Sequence, residues 1–278
     1  MLTSLKNRIK TNKLTKTENL LADYFQANEN RLYFMTSDEI AQELGTSNTS
    51  VIRFVKTLGF KSFKEFKDSL KTNISDRILT PSEKLNKNKS ILESEQMLDI
   101  FIKNVSTNIE ETFLKNSNET FNSISNILCS SNKKYIVGFK STGGVASFFG
   151  LRLGFVMEGV RTYSNSSSEL FKDIVDITEN DCLFLIAYPK YSKTYNLIMK
   201  IAKKAKAKII VLTDKATAPV VTDADITLFI NINGISFFNS LVSTQATLEY
   251  LLTDISRRIG ESGNTRLEII NRYLDENL

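Results

Sequence analysis

The sequence predicts an all-α N-terminal unit followed by an α/β unit built on a parallel sheet. Three observations predict it. Residues 1–77 carry apolar residues at helical spacing only. From residue 134 onward, short continuous apolar runs alternate with helical patterns, as strands buried on both faces of a parallel sheet do. A chain of 278 residues, at roughly 100–200 residues per domain, has room for two cores.

In the N-terminal part, Leu20, Leu21, Tyr24 and Phe25 share a helix face, then Ile40 with Leu44, then Val51, Ile52, Val55 and Leu58, then Phe63, Phe66 and Leu70. Residues 78–91 are polar and contain one of only three prolines, which reads as a linker. Helical spacing resumes with Met97, Phe101, Val105, Ile109 and Phe113, followed by Phe121, Ile124 and Leu128. The strands are 135–137, 182–186, 209–212 and 226–230, with a weaker one at 160–163. The end of the chain, from Phe237 through Ile259 to Leu274, is helical again.

Composition narrows the chemistry. The hydrophobic fraction is 41% and the charged fraction 24%, ordinary for a soluble protein. No apolar run approaches the roughly 18 residues of a membrane span, and the first residues lack the apolar core of a signal peptide, so the expected location is the cytoplasm, away from any membrane. Cys129 and Cys182 read as small buried hydrophobes, unpaired in a reducing compartment. There is no histidine, which excludes histidine triads, histidine zinc sites and an imidazole base; neither a metal nor a cofactor is expected. Residues 1–80 hold 13 Lys and Arg against 9 Asp and Glu, a modest basic bias that suits phosphates.

The most informative stretch runs from Thr36 to Phe60. Thr36 and Glu39 form a capping-box pattern that starts one helix, and Gly45 can end it. Ser47 can cap a second helix whose apolar face is Val51, Val55 and Leu58. Two such helices joined by a short glycine-containing turn make a helix-turn-helix, with Ala41 small where the helices approach. The second helix of that motif enters the major groove N-terminal end first, so Ser47, Asn48, Thr49, Ser50 and Arg53 face bases or phosphates and Lys56 extends backbone contact. Arg53 can fork onto guanine and Asn48 can pair with adenine.

A second site follows the first clear strand. Lys140, Ser141 and Thr142 open a helix at the carboxyl end of a parallel strand, where open α/β sheets bind ligands and free amides favour anions. The spacing is not that of a Walker loop. A similar turn follows the next strand, with Lys190, Ser192 and Lys193. A third loop, 164–169, can reach a ligand or cap a helix, and capping is the simpler expectation. Glu249, one turn after Gln245 on the last long helix pattern, is the one glutamate that stands out as a base or as a ligand-orienting group; the second role is favoured because no histidine accompanies it.

These elements, in this order, resemble the RpiR family of bacterial regulators, carried by the run T-S-D-E-I-A-Q-E-L-G-T-S-N-T-S-V-I-R-F-V-K-T-L-G-F-K-S-F-K-E-F-K. The resemblance implies a helix-turn-helix domain over 1–77, a linker and connecting helix over 78–116, a sugar isomerase (SIS) domain with a five-stranded parallel sheet over 117–262 and a C-terminal helix over 263–278. It further implies a non-enzymatic transcription regulator of sugar-catabolic genes. Such a regulator binds a palindromic operator in double-stranded DNA as a homodimer or dimer of dimers. Its effector is a phosphorylated sugar or aminosugar. Ser141 and Thr142 match the hydroxyl pair of the family's first phosphate loop and Ser192 a hydroxyl of the second. The second loop departs from the family's S-x-S-G-x-T form: Ala187 and Pro189 replace serines and Lys190 replaces the glycine. Lys140 and Lys190 then stand in for hydroxyls and amides. An isomerase, or a regulator whose SIS domain only dimerises, is the alternative.

Overall fold

The computed structural model describes residues 9, 14–28, 32, 35–67 and 80–276. Leu70 and the first residues of the expected linker lie outside them. The chain divides into two compact units, Met1–Leu79 and Thr80–Leu278.

In the first unit, α1 (Lys16–Ala27) starts at a capping box between Thr15 and Glu18. α2 (Ser37–Glu43) starts at the predicted Thr36–Glu39 box, with the Thr36 N–H donating to Glu39 Oε2 at 2.7 Å. Gly45 turns the chain at φ 60°, a conformation that only glycine adopts without strain. The Thr46 N–H then closes on the Ala41 carbonyl at 2.9 Å. α3 (Asn48–Thr57) follows, capped by Ser47. Leu21, Phe25, Ile40, Val51, Phe54, Val55, Leu58 and Phe66 are buried together. The Phe25 ring packs 5.1 Å from both Phe54 and Phe66.

The second unit opens with a correction. The polar stretch read as linker is helical over α4 (Pro81–Lys87) and α5 (Lys89–Leu92). Thr80 and Glu83 make a third capping box, and Pro81 sits where its missing N–H is harmless. Polarity hid a helix that has no buried residues. α6 (Met97–Lys115) and α7 (Asn118–Ser130) lead into the sheet.

Five parallel strands, β1 (Lys134–Gly138), β2 (Val160–Tyr163), β3 (Cys182–Ile186), β4 (Lys208–Thr213) and β5 (Ile226–Phe229), lie in the order β2-β1-β3-β4-β5. Between them run α8 (Ser141–Val156), α9 (Ser168–Ile174) and α10 (Lys193–Lys204); α11 (Val242–Ser256) and α12 (Gly260–Asp275) close the chain. Strand side chains alternate between two cores. Ile136, Phe184, Ile186, Ile210 and Leu212 pack with α7, α8 and α11, while Tyr135, Val137, Leu183, Leu185 and Val211 pack with α9 and α10. β1 and β3 are buried at every residue, which is why they read as continuous apolar runs. The weaker β2 run is an edge strand with Arg161 and Thr162 exposed.

At the other edge, side chains engage the last residue of β5 and the chain just beyond it. On α6, Asn104, Asn108, Thr112 and Asn116 recur every fourth residue and so share one face. Asn116 exchanges two hydrogen bonds of 2.9 Å with the Phe229 backbone. Thr112 Oγ1 accepts the Asn231 N–H at 2.9 Å, and Asn108 and Asn104 both donate to the Asn233 carbonyl, at 2.6 and 3.0 Å.

Cys182 is buried and its thiol is pushed up to about 11 by desolvation. Cys129 is exposed, contrary to expectation: it falls on the outer face of the last turn of α7, and both thiols are free. Among the described residues no helix is long and apolar enough to cross a membrane, and no group of three or more His, Cys, Asp or Glu could hold a metal ion.

Candidate functional sites

The candidate DNA-reading surface is α3. Val51, Phe54 and Val55 turn inward, and this leaves Thr49, Arg53 and Lys56 exposed on the opposite side. The Ser47 hydroxyl accepts the Ser50 N–H at 3.1 Å and lies 2.9 Å from the Ser50 hydroxyl, so both serines are engaged in the cap. Asn48 is half-buried, and its Oδ1 is buried without a hydrogen-bond partner. A two-bond contact to adenine needs both amide atoms, so Asn48 must rotate outward to make it. Glu18, which sequence reasoning passed over, ties α1 to α3: its Oε1 accepts the Thr57 hydroxyl at 2.8 Å. The Thr15 N–H above all holds its carboxyl below the ordinary value, against burial, and the Thr15 and Thr57 hydroxyls and the Arg53 charge add to this.

The second candidate site lies where β1 and β3 adjoin. The chain leaves β1 for β2 on one side and returns to β3 on the other, so the order reverses there and the loops at the carboxyl ends splay apart. Open sheets bind ligands in that crevice. Three loops meet at it. The β1 loop holds Lys140, Ser141 and Thr142; Ser141 is exposed, and Thr142 is buried with its hydroxyl donating to the Phe139 carbonyl at 2.8 Å. The β3 loop holds Lys190 and Ser192, and Ser192 caps α10 by accepting the Thr194 N–H at 3.2 Å. The β2 loop joins through two contacts. Ser166 meets the Thr194 hydroxyl at 2.9 Å, and a Cβ on Gly143 would lie 2.7 Å from the Ser164 carbonyl, so only glycine allows the approach. Ser167 caps α9, as the simpler expectation had it.

Lys140 and Lys190 both adopt left-handed backbone angles, φ 57° and 74°, where residues with a Cβ are strained. Lys190 does so at the position where the resemblance leads to the expectation of a glycine. Both ammonium-bearing side chains are on exposed residues, and neither has an ion-pair partner among the described residues. Three tyrosines brace these loops. Tyr195 from α10 accepts the Phe139 N–H at 2.9 Å; Tyr188 meets Thr244 of α11 at 2.6 Å; Tyr191 donates to Asp214 at 2.8 Å. Burial raises the phenol values of all three, so they stay protonated. Sequence reasoning passed over all three, because their partners are distant in the chain.

Glu249 is not brought to these loops. It sits on α11 and takes the Arg152 guanidinium on both carboxylate oxygens at 3.2 Å. Arg152 lies three turns beyond Ser141 on α8, ~16 Å along the helix axis. The Glu249 side chain is 46% exposed and engaged by that guanidinium.

A helix-turn-helix unit and a five-stranded parallel sheet with an anion-suited crevice together define a two-module regulator. Comparison with known proteins agrees. Residues 1–77 match the helix-turn-helix domain of the rpiR family, and residues 127–254 match the SIS domain. The chain belongs to the RpiR family of helix-turn-helix transcriptional regulators. An uncharacterized HTH-type transcriptional regulator of Haemophilus influenzae is 26% identical over 235 residues, 80% of this chain and 76% of that protein. One from Caldanaerobacter subterraneus is 25% identical over 217 residues, 78% and 76% of the two chains. Among solved structures, the sugar isomerase domain of an RpiR transcription factor from Sphaerobacter thermophilus aligns with TM-score 0.60 and 22% identity, covering 64% of this chain and 99% of that one. The Vibrio vulnificus NanR protein complexed with ManNAc-6P aligns with TM-score 0.61 and 14% identity over 99% of this chain and 97% of that one.

Proposed function

We propose that the SIS unit binds a phosphorylated sugar or aminosugar at the β1/β3 crevice and that occupancy changes the affinity of the helix-turn-helix unit for a palindromic operator near sugar-catabolic genes. The observation that carries this reading is the pair Lys140 and Lys190. Two unpaired cations sit in strained backbone conformations at adjacent strand ends, and such strain concentrates at ligand clamps. The complex of NanR with ManNAc-6P, on the same fold, supports the ligand class. The protein acts as a homodimer or dimer of dimers in the cytoplasm, so that two α3 helices read half-sites about one helical turn apart. A ligand that binds two SIS conformations unequally shifts that spacing. The reading is non-enzymatic, since Glu249 is held by Arg152 away from the crevice.

One observation favours a second reading, a SIS unit that only dimerises: the Thr142 and Ser192 hydroxyls are both engaged within their own loops. Thermal denaturation with a panel of hexose and N-acetylhexosamine 6-phosphates separates the two. A ligand at 100 times its Kd stabilises by about 2.7 kcal/mol. The same ligand should alter binding to DNA upstream of the gene itself. Absence of any shift across the panel would establish the dimerisation-only reading.

A further inference from the structure

α4, the first described element after Leu79, touches the rest of its unit through one face. Lys84 donates to Asn239 Oδ1, and Asn88, one turn on, donates to the Ser236 carbonyl at 3.2 Å. Both acceptors belong to the connection between β5 and α11. That connection leaves the carboxyl end of β5, and all five strands are parallel, so it lies at the same sheet edge as the β1 and β3 loops. Tyr188 of the β3 loop reaches Thr244 at the start of α11, which links the two loops directly.

Lys84 is half-buried against this edge, and its amide partner Asn239 is neutral. The one carboxylate of α4, Glu83, is turned back onto Thr80 in the capping box. Burial first, then the charges of Lys87 and Lys190, hold the Lys84 ammonium below the ordinary lysine value. A partly desolvated cation within electrostatic reach of a second, with no carboxylate paired to it among the described residues, is a costly arrangement in the absence of an anion.

We propose that Lys84 is a third cation of the effector site. It reaches the same phosphate group as Lys190 and Lys140, so the bound effector fastens α4 to the ligand edge of the sheet. The inference rests on the sugar-phosphate reading above and adds to it a residue outside the β1 and β3 loops. It also adds a route by which occupancy changes the segment that leads from the helix-turn-helix unit. With the effector absent, Lys84 and Lys190 repel and α4 is held by two hydrogen bonds to uncharged acceptors. With it present, the anion bridges both lysines.

The test uses the full chain and four forms: the wild type, Lys84→Gln, Lys84→Arg and Asn239→Ala. Each is titrated calorimetrically with hexose and N-acetylhexosamine 6-phosphates, with the unphosphorylated sugars and inorganic phosphate as controls. Hydrogen exchange is followed at the amides of 82–92. Lys84→Gln should weaken the phosphosugar roughly ten- to hundredfold, the range for one charge-assisted hydrogen bond, and Lys84→Arg should stay within about threefold of wild type. The effector should slow exchange at 82–92 in the wild type and not in Lys84→Gln. Asn239→Ala, which removes the neutral tether and keeps the cation, should lose much less than Lys84→Gln. Wild-type affinity in Lys84→Gln overturns the proposal and leaves the sugar-phosphate reading standing. Equal losses in Lys84→Gln and Asn239→Ala also overturn it, because Lys84 would then only dock the helix. A wild type that binds nothing in the panel overturns both.

Discussion

The Tyr195 ring lies flat on Phe139, 4.6 Å between centroids and 7° from parallel, and its hydroxyl accepts the Phe139 N–H at 2.9 Å. α10 thereby holds the backbone at the point where β1 passes into the loop proposed to bind the effector. Tyr195→Phe keeps the stacking and leaves a buried N–H without an acceptor. It should destabilise the second unit by about 1–3 kcal/mol, or roughly 2–4 °C in Tm for each kcal/mol. It should also weaken the phosphosugar while leaving operator affinity without effector unchanged. An unaltered Tm would mean that Phe139 finds another acceptor.

Among the described residues three lysines have left-handed backbone angles, and two of them, Lys140 and Lys190, stand in the β1 and β3 loops. Lys206, at φ 61°, makes the turn between α10 and β4. Replacing it with glycine relieves strain and adds freedom to the unfolded chain, for a net gain of about 0.5–1 kcal/mol with no effect on ligand. Lys190→Gly and Lys140→Gly should bring a similar gain in stability and a loss of effector affinity. Chemical denaturation beside ligand titration checks this. A stabilised Lys190→Gly with full affinity would remove Lys190 from the site.

Arg53 and Lys56 are exposed on α3 and pack against nothing in the core. Arg53→Ala should leave the unfolding free energy within about 0.5 kcal/mol of wild type and relax base preference at one operator position by about 1–3 kcal/mol. Lys56→Ala should weaken all sequences alike and lower the salt dependence of binding by about one phosphate contact. Titrations at several salt concentrations tell the two apart. A salt slope unchanged in Lys56→Ala would take that residue off the backbone.

Glu18 makes the stability of the first unit pH-dependent. Its carboxyl is lowered from 4.5 in the folded state, first by the Thr15 N–H. The unfolded chain therefore binds the proton more readily, so the stabilisation is complete above 4.5 and is lost as pH falls through the folded value. Glu18→Ala should destabilise the unit by about 1–2 kcal/mol at neutral pH, through the capping box and the Thr57 contact. The difference from wild type should shrink below pH 4.5, where urea midpoints of the two should converge.

The sequence made some of this legible for clear reasons. Thr36, Glu39, Gly45 and Ser47 act within a few residues of themselves, so the turn of the helix-turn-helix could be read locally. β1, β3 and β4 are covered on both faces and announce themselves as apolar runs. Partners distant in the chain could not be read. Nothing near Tyr195 indicates that its hydroxyl belongs to Phe139, and nothing near Glu249 indicates Arg152. Cys129 ends an apolar pattern yet falls one position outside the buried face. α4 was missed because an exposed helix has no apolar period, although Thr80, Pro81 and Glu83 together mark its start.

The stripe of Asn104, Asn108, Thr112 and Asn116 has a consequence for how copies of this chain can associate. An uncovered edge strand is a template for another strand, and proteins that form ribbons or aggregates extend along it. Here the amides and hydroxyl of α6 already occupy the backbone groups at Phe229, Asn231 and Asn233. A further strand therefore finds the carboxyl end of β5 and the chain beyond it already hydrogen-bonded, and any contact made there falls to the outer surface of α6.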